Sequence, residues 1–192
     1  MENAFFDGEV EAALASLRSG GVILYPTDTI WGLGCDATDE KAIRRIYDLK
    51  QRADTKSLII LVSHEREVLP YVAAPDPAAF GFLEEQDRPT TMIFDDAVGL
   101  PPALVGADGT IAIRIVKDPF CRHLVRRLRK PIVSTSANIS GRPSPPSFAS
   151  IDPEIIAGVD HVVRWRQDET GPAQASRIVR WHRDGTHAVI RP

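Results

Sequence analysis

The chain has 192 residues, with 23 Lys and Arg against 26 Asp and Glu, a formal net charge of -3 and 43% apolar residues. A chain of this length buries roughly 70% of the surface its unfolded form exposes, so a core forms without staples, and two cysteines, Cys35 and Cys121, are too few for a disulfide scaffold or a zinc cluster. No apolar run approaches the roughly 18 residues of a membrane span, and the opening MENAFFDGEVEAAL is acidic where a secretion signal is basic, which predicts a cytoplasmic protein without membrane contact.

Val10, Ala13, Leu14 and Leu17 recur at helical spacing, and Gly20-Gly21 supplies the stop, which predicts a first helix to about Ser19. VILY (22–25) reads as a buried strand, followed by a polar loop from Pro26 to about Thr38 and a helix over residues 39–50 carrying Ile43, Ile46 and Leu49 on one face. SLIILV (57–62) reads as a second buried strand, with weaker helical stretches over 64–72 and 76–86 and strands at 90–94 and 110–115. Asp118-Pro119 is an N-cap followed by the first helical position and opens a helix to about Lys130; PIVSTS (131–136) is a strand ending in small hydroxyls. A helix near 150–157 and strands near 160–164, 176–181 and 187–190 complete the chain, one α/β domain over 1–192 with a mixed sheet covered on at least one face.

Charge is segregated along this pattern. Residues 41–56 hold six basic and two acidic side chains, residues 114–130 seven and one, and residues 164–191 six and three, while 1–13 and 84–96 are each net -4. Such cationic stretches line an anion site or an RNA-facing surface, or are solvated helix faces.

Three groups of residues have the composition of a site. The loop YPTDTIWGLGCDA (25–37) combines hydroxyls with glycines directly after a strand. Gly32-x-Gly34-x-x-Ala37 imitates a dinucleotide fingerprint, but six residues separate it from the strand and no acid closes the next strand, which argues against a Rossmann site. LKQRADTK (49–56) gathers Lys50, Arg52 and Lys56 at a helix C-terminus, either to complement the helix dipole or to meet a triphosphate. In TIAIRI, alternation sets Arg114 with Thr110 and Ala112, and a mid-strand arginine demands an internal carboxylate or an anionic ligand. PIVSTSANISG then places Ser134, Thr135, Ser136 and Asn138 where a strand leaves the sheet, as a ligand edge or a simple turn. Arg122, Arg126 and Arg129 form a basic stripe on the helix between these strands.

Together YPTDTIWGLGCDA, the K-x-R of Lys50-Gln51-Arg52, TIAIRI and the S-x-N of Ser136-Ala137-Asn138 resemble the threonylcarbamoyl-AMP synthases, the YrdC-like family, from about Ser19 to the C-terminus. The resemblance implies a twisted mixed sheet with helices packed around it and an open ligand cavity. It implies a nucleotidyltransferase reaction: L-threonine, bicarbonate and ATP give threonylcarbamoyl-AMP and pyrophosphate. The product would pass to threonylcarbamoyl-transferase proteins for tRNA modification beside the anticodon. Thr27, Leu61, Arg114, Ser134, Thr135 and Ser176 would then face threonine. Lys50, Arg52, Lys56, Thr110, Ser136, Asn138, Ser144 and Arg191 would face ATP and its Mg2+, with Lys50 and Arg52 the catalytic cations. Leu58 and Ile60 would meet the threonine methyl, and Arg191, one residue from the chain end, suggests a short form of the family. Where the family reads W-P-G-P, this chain has Asp87-Arg88-Pro89-Thr90. The competing reading is a non-catalytic tRNA or double-stranded RNA-binding module of the same fold.

Overall fold

In a computed structural model, residues 2–52, 58–170 and 174–192 are described. Helix α1 (Glu2–Arg18) leads into β1 (Ile23–Tyr25), β2 (Gly32–Gly34), α2 (Glu40–Leu49) and β3 (Ile59–Val62). Then come α3 (Pro77–Glu84), β4 (Thr90–Phe94), β5 (Ile111–Ile115), α4 (Pro119–Leu128) and β6 (Ile132–Ser136). The chain ends with α5 (Pro153–Gly158), β7 (His161–Val162), β8 (Arg177–Trp181) and β9 (His187–Arg191). Among the described residues no helix is long and apolar enough to cross a membrane.

The strands form one mixed sheet in the order β7-β1-β2-β6-β3-β5-β4-β8-β9. β3 pairs with β5, β4 with β8 and β1 with β7 in parallel, and the remaining neighbours are antiparallel. Helix starts follow the capping chemistry of the sequence: Asp39 accepts from the Lys41 and Ala42 amides, Asp118 from the Cys121 amide, and Pro119 occupies the first turn of α4.

Two expectations change. The loop from Pro26 to Thr38 contains a strand, β2, antiparallel to β1, so Gly32 and Gly34 belong to a ladder and not to a dinucleotide turn. Glycine is needed at 34 because a Cβ there would stand 2.6 Å from the Tyr25 ring and 2.8 Å from the Val133 carbonyl. The expected helix over 64–72 is only a 3-10 turn, Glu65–Glu67, since the Glu67 carboxylate takes the Ser63 amide at 2.7 Å and its hydroxyl at 2.8 Å, and Pro70 stops propagation.

Each sheet face has its own apolar layer. Leu24, Leu33, Ile60, Val62, Ile113 and Val133 pack with Ile43, Ile46 and Tyr47 of α2 and with α3 and α5 residues. On the opposite face Ile23, Tyr25, Leu61 and Ile132 pack under Leu14 and Leu17 of α1 and Phe120, Leu124 and Val125 of α4. A fully buried leucine of this kind contributes ~1.5–3 kcal/mol. Both cysteines are buried free thiols, their pKa pushed up by desolvation.

The second face is only partly covered. Registers Ile59↔Ser134, Leu61↔Arg114, Ile93↔Ala112, Thr91↔Ile178 and Ile178↔Arg191 put Ser134, Ile59, Arg114, Ile178 and Arg191 on the same face as Leu61. Leu61 lies beneath the helices, and the others lie where, among the described residues, no helix covers the sheet.

Candidate functional site

The uncovered part of that face is the floor of a cavity of about 190 Å³. Its described lining includes three arginines (Arg52, Arg114, Arg191) and no carboxylate, with hydroxyl residues from four segments: Thr29, Ser134 to Ser136, Ser144 and Ser176. Leu58, Ile59 and Ile178 supply a small apolar patch.

Arg114 lies at the base, 2% exposed. Its Nη2 stands 3.3 Å from Asp28 Oδ1, and its Nη1 donates to Thr29 Oγ1 at 3.2 Å. Of the two alternatives raised by the sequence, the internal carboxylate is present, and Arg114 Nε and Asp28 Oδ1 lack hydrogen-bond partners. A buried guanidinium with an unused donor is ready for a further acceptor. The loop carrying Asp28 is shaped by Thr27, whose hydroxyl donates to the Ile30 carbonyl at 2.8 Å and accepts from the Thr29 amide at 3.1 Å. Thr27 lines an adjoining cavity of about 200 Å³, which shares Thr29 and Ile30 with the first.

At the other wall the Ser176 hydroxyl meets Thr91 Oγ1 at 2.9 Å, and Arg191 donates to the Ser176 carbonyl at 2.9 Å and to its hydroxyl at 3.2 Å. Burial, then the charges of Arg114 and Arg88, hold the Arg191 pKa below its ordinary value. Arg88, from the segment that departs from the family pattern, donates to the Ala175 carbonyl at 3.1 Å and so braces this wall.

Lys50 is 1% exposed. Its ammonium donates to the Ser136 carbonyl and, at 2.7 Å, to the Asn138 carbonyl. Burial, then the Arg52 charge, lowers its pKa from 10.5 to about 7. Arg52, on the cavity wall, is also held below its ordinary value by burial. The Asn138 amide group donates to the Ile139 and Arg142 carbonyls, at 3.0 and 2.7 Å, and knits the turn after β6. Ser144 is exposed on the cavity rim.

The expected residues thus divide. Arg52, Arg114, Ser134, Ser136, Ser144, Ser176 and Arg191 line one cavity, as does Thr135, although alternation turns its side chain to the opposite face from Ser134. Lys50 and Asn138 are absent from that lining, and Thr27 lines the adjoining cavity. Leu61 is completely buried under α1 and α4 and Ile60 is completely buried on the other face, so the apolar patch is Leu58 and Ile59 instead of Leu58 and Ile60. Thr110 lies before β5, outside the cavity lining, and donates to Asp108 at 2.7 Å. Lys56 lies outside the described residues. Residues not anticipated as site members include Thr29, Ile59 and Ile178 of the lining and Asp28 beside Arg114; the T-x-T spacing of Thr27 and Thr29 is a readable signal for the second threonine.

Comparison with known proteins gives a consistent picture. The family model Sua5_yciO_yrdC, described as telomere recombination, matches residues 15–192. A threonylcarbamoyl-AMP synthase of Idiomarina loihiensis is 34% identical over 174 residues, 88% of this chain and 91% of that protein. A protein of the same name from Xanthomonas campestris is 35% identical over 161 residues, 81% of this chain and 84% of its own length. Among solved structures, E. coli YciO superposes with a TM-score of 0.76 at 26% identity, covering 95% of this chain and 87% of that one. P. abyssi Sua5, solved with L-threonine, superposes with a TM-score of 0.82 at 23% identity over 95% of this chain; this chain spans 53% of that protein.

Proposed function

The chain belongs to the Sua5/YciO/YrdC family, and from that premise we propose that it is a threonylcarbamoyl-AMP synthase, an enzyme that makes threonylcarbamoyl-AMP and pyrophosphate from L-threonine, bicarbonate and ATP. The observation that carries this reading is a cavity whose described lining sets three arginines among hydroxyls, free of carboxylates, beside a small apolar patch. The nucleophile is a carbamate oxygen formed from the threonine amine and bicarbonate. It attacks the α-phosphorus, a P–O bond forms, and the bond to the departing pyrophosphate breaks. Such chemistry needs no enzymic nucleophile; it needs orientation and positive charge placed where negative charge develops.

Arg114 meets the threonine carboxylate, Ser134 and Ser176 meet the polar end of the substrate, and Leu58 and Ile59 receive its methyl. Discrimination by one methyl is limited to ~1–3 kcal/mol. Arg52 and Arg191 face the phosphates, with Ser136 and Ser144 as neutral donors. This makes the enzyme a nucleotidyltransferase. Mg2+ bound with the phosphates of ATP would supply further positive charge for the departing pyrophosphate. The product passes to tRNA by way of downstream threonylcarbamoyl-transferase proteins, and Arg126 of α4 with Arg129 at its C-cap, both exposed, offer a cationic face for any tRNA contact.

Pyrophosphate release measured with threonine and bicarbonate omitted in turn tests the assignment. Release is expected to require both and to collapse in Arg52→Met and Arg114→Met. Release indifferent to threonine would refute the assignment, and no release at all, together with salt-sensitive tRNA binding, would select the non-catalytic RNA module.

A further inference from the structure

The two motif halves K-x-R and S-x-N are 86 residues apart in sequence from Lys50 to Ser136, and the structure joins them directly. Three acceptors surround the Lys50 ammonium: the Ser136 carbonyl, the Asn138 carbonyl at 2.7 Å and Asn138 Oδ1 at 3.5 Å. An ammonium has three donors, and each has a nearby acceptor from this one turn. The Lys50 carbonyl also accepts from the Ser140 amide at 2.8 Å. The lysine therefore holds the turn at both of its own ends, by side chain and by main chain. Asn138 completes the knot through Ile139 and Arg142. Lys50 is absent from the cavity lining, whereas Arg52, two residues on, is part of it.

We infer that Lys50 is a positioning residue: it fastens the turn after β6 to the C-terminal end of α2, so that Ser134 and Ser136 are held at the angle the cavity requires. Anchoring falls to Lys50 and direct contact with phosphate to Arg52. An unanchored turn releases the β6 end of the cavity, which faces both substrates, so loss of Lys50 weakens threonine and ATP together. That kinetic consequence rests on the synthase reading; the anchoring itself does not.

Amide hydrogen exchange on the ligand-free protein tests the anchoring without reference to activity. In Lys50→Met the amides of Asn138, Ser140 and Arg142 are expected to exchange at least tenfold faster, with the β5 amides of Ile111–Ile115 unchanged. Asn138→Ala, which leaves Lys50 in place, is expected to loosen the same amides to a smaller degree. Steady-state measurements are expected to show the KM for threonine and the KM for ATP rising by similar factors in Lys50→Met, whereas Arg52→Met raises the KM for ATP alone. Unchanged exchange in the turn with a rise confined to the ATP KM overturns the inference and makes Lys50 a direct phosphate ligand. Exchange accelerated evenly through the sheet also overturns it. If the wild-type protein made no threonylcarbamoyl-AMP, the synthase reading would fail while the exchange result still decided the anchoring.

Discussion

Replacing Arg114 with methionine separates what this residue does for the fold from what it does for the substrate. The guanidinium is 2% exposed, and its ion pair with Asp28 spans 3.3 Å. Removing one partner of a buried pair costs ~3–5 kcal/mol because the other charge is stranded. The Asp28 side chain keeps 16% exposure, so water screens part of that cost and about 3 kcal/mol is the appropriate figure. For a chain of this size each kcal/mol moves Tm by roughly 2–4 °C, which predicts a fall of about 6–12 °C by thermal denaturation. The substrate effect is separate: a carboxylate that loses charge-assisted hydrogen bonds worth ~1.5–3 kcal/mol binds about 10- to 150-fold more weakly. Titration of threonine by calorimetry reads this, and ATP binding is expected to change far less. Adding Asp28→Asn removes the stranded charge, so the double variant is expected to recover much of the lost Tm and none of the threonine affinity. Wild-type threonine affinity in a folded Arg114→Met protein would refute the carboxylate assignment, and a double variant no more stable than the single one would refute the stranded-charge account.

Gly34→Ala pushes a methyl against the Tyr25 ring and the Val133 carbonyl, contacts of 2.6 and 2.8 Å; overpacking of this kind costs ~1–3 kcal/mol, to be read as a lower Tm with unchanged far-UV circular dichroism. Arg191→Met removes a guanidinium from the wall while leaving Arg114 in place, and the expected result is weaker ATP binding with a shallower salt dependence, measured by titration at two ionic strengths. Lys50 makes stability depend on pH in a definite direction. Its pKa is about 7 when folded and 10.5 ordinarily, so between those values the unfolded chain binds a proton that the folded chain does not, and stability rises with pH. Below about pH 7 both states carry the proton and the dependence disappears. Denaturant titrations at pH 7, 8 and 9 are expected to show the wild type gaining on Lys50→Met by up to about 1.4 kcal/mol per pH unit. A difference that is flat or falls with pH would show that the lysine keeps its proton in the fold.

Much of this arrangement is legible in the sequence. The helix faces of α2 and α4 and their aspartate caps follow from apolar spacing and local hydrogen bonding, which are properties of contiguous residues. β2 escaped because its three residues, Gly-Leu-Gly, have no strand propensity of their own. That segment pairs because Tyr25 needs open space opposite it and because β6, about 100 residues later, supplies the other edge. The same divide runs through the site. Arg114 stood out because an arginine between isoleucines contradicts its setting, whereas Ile178 could be recognised only from its register with Thr91. Alternation within a strand gives the face a residue shares with its neighbours two positions away, but not whether a helix covers that face.

That last distinction explains why Leu61 and Arg114 fare so differently. They are partners across β3 and β5 and point to the same side of the sheet. Over Leu61 the apolar residues of α4 close the face, and the leucine is completely buried among Phe120, Leu124 and Ile132. Around Arg114 the layer gives way to the loop that carries Asp28 and Thr29, and the face opens into the cavity. An unpaired arginine would be prohibitively costly in the apolar layer at position 61, and a leucine at 114 would leave Asp28 without its cation. The site is therefore the point at which a continuous apolar sheet face loses its helical cover. The three arginines gathered there turn a chain of net charge -3 into one with a locally cationic cavity. Charge at this edge is tolerated because water, and in the proposed reaction an anionic substrate, reaches it from the uncovered side.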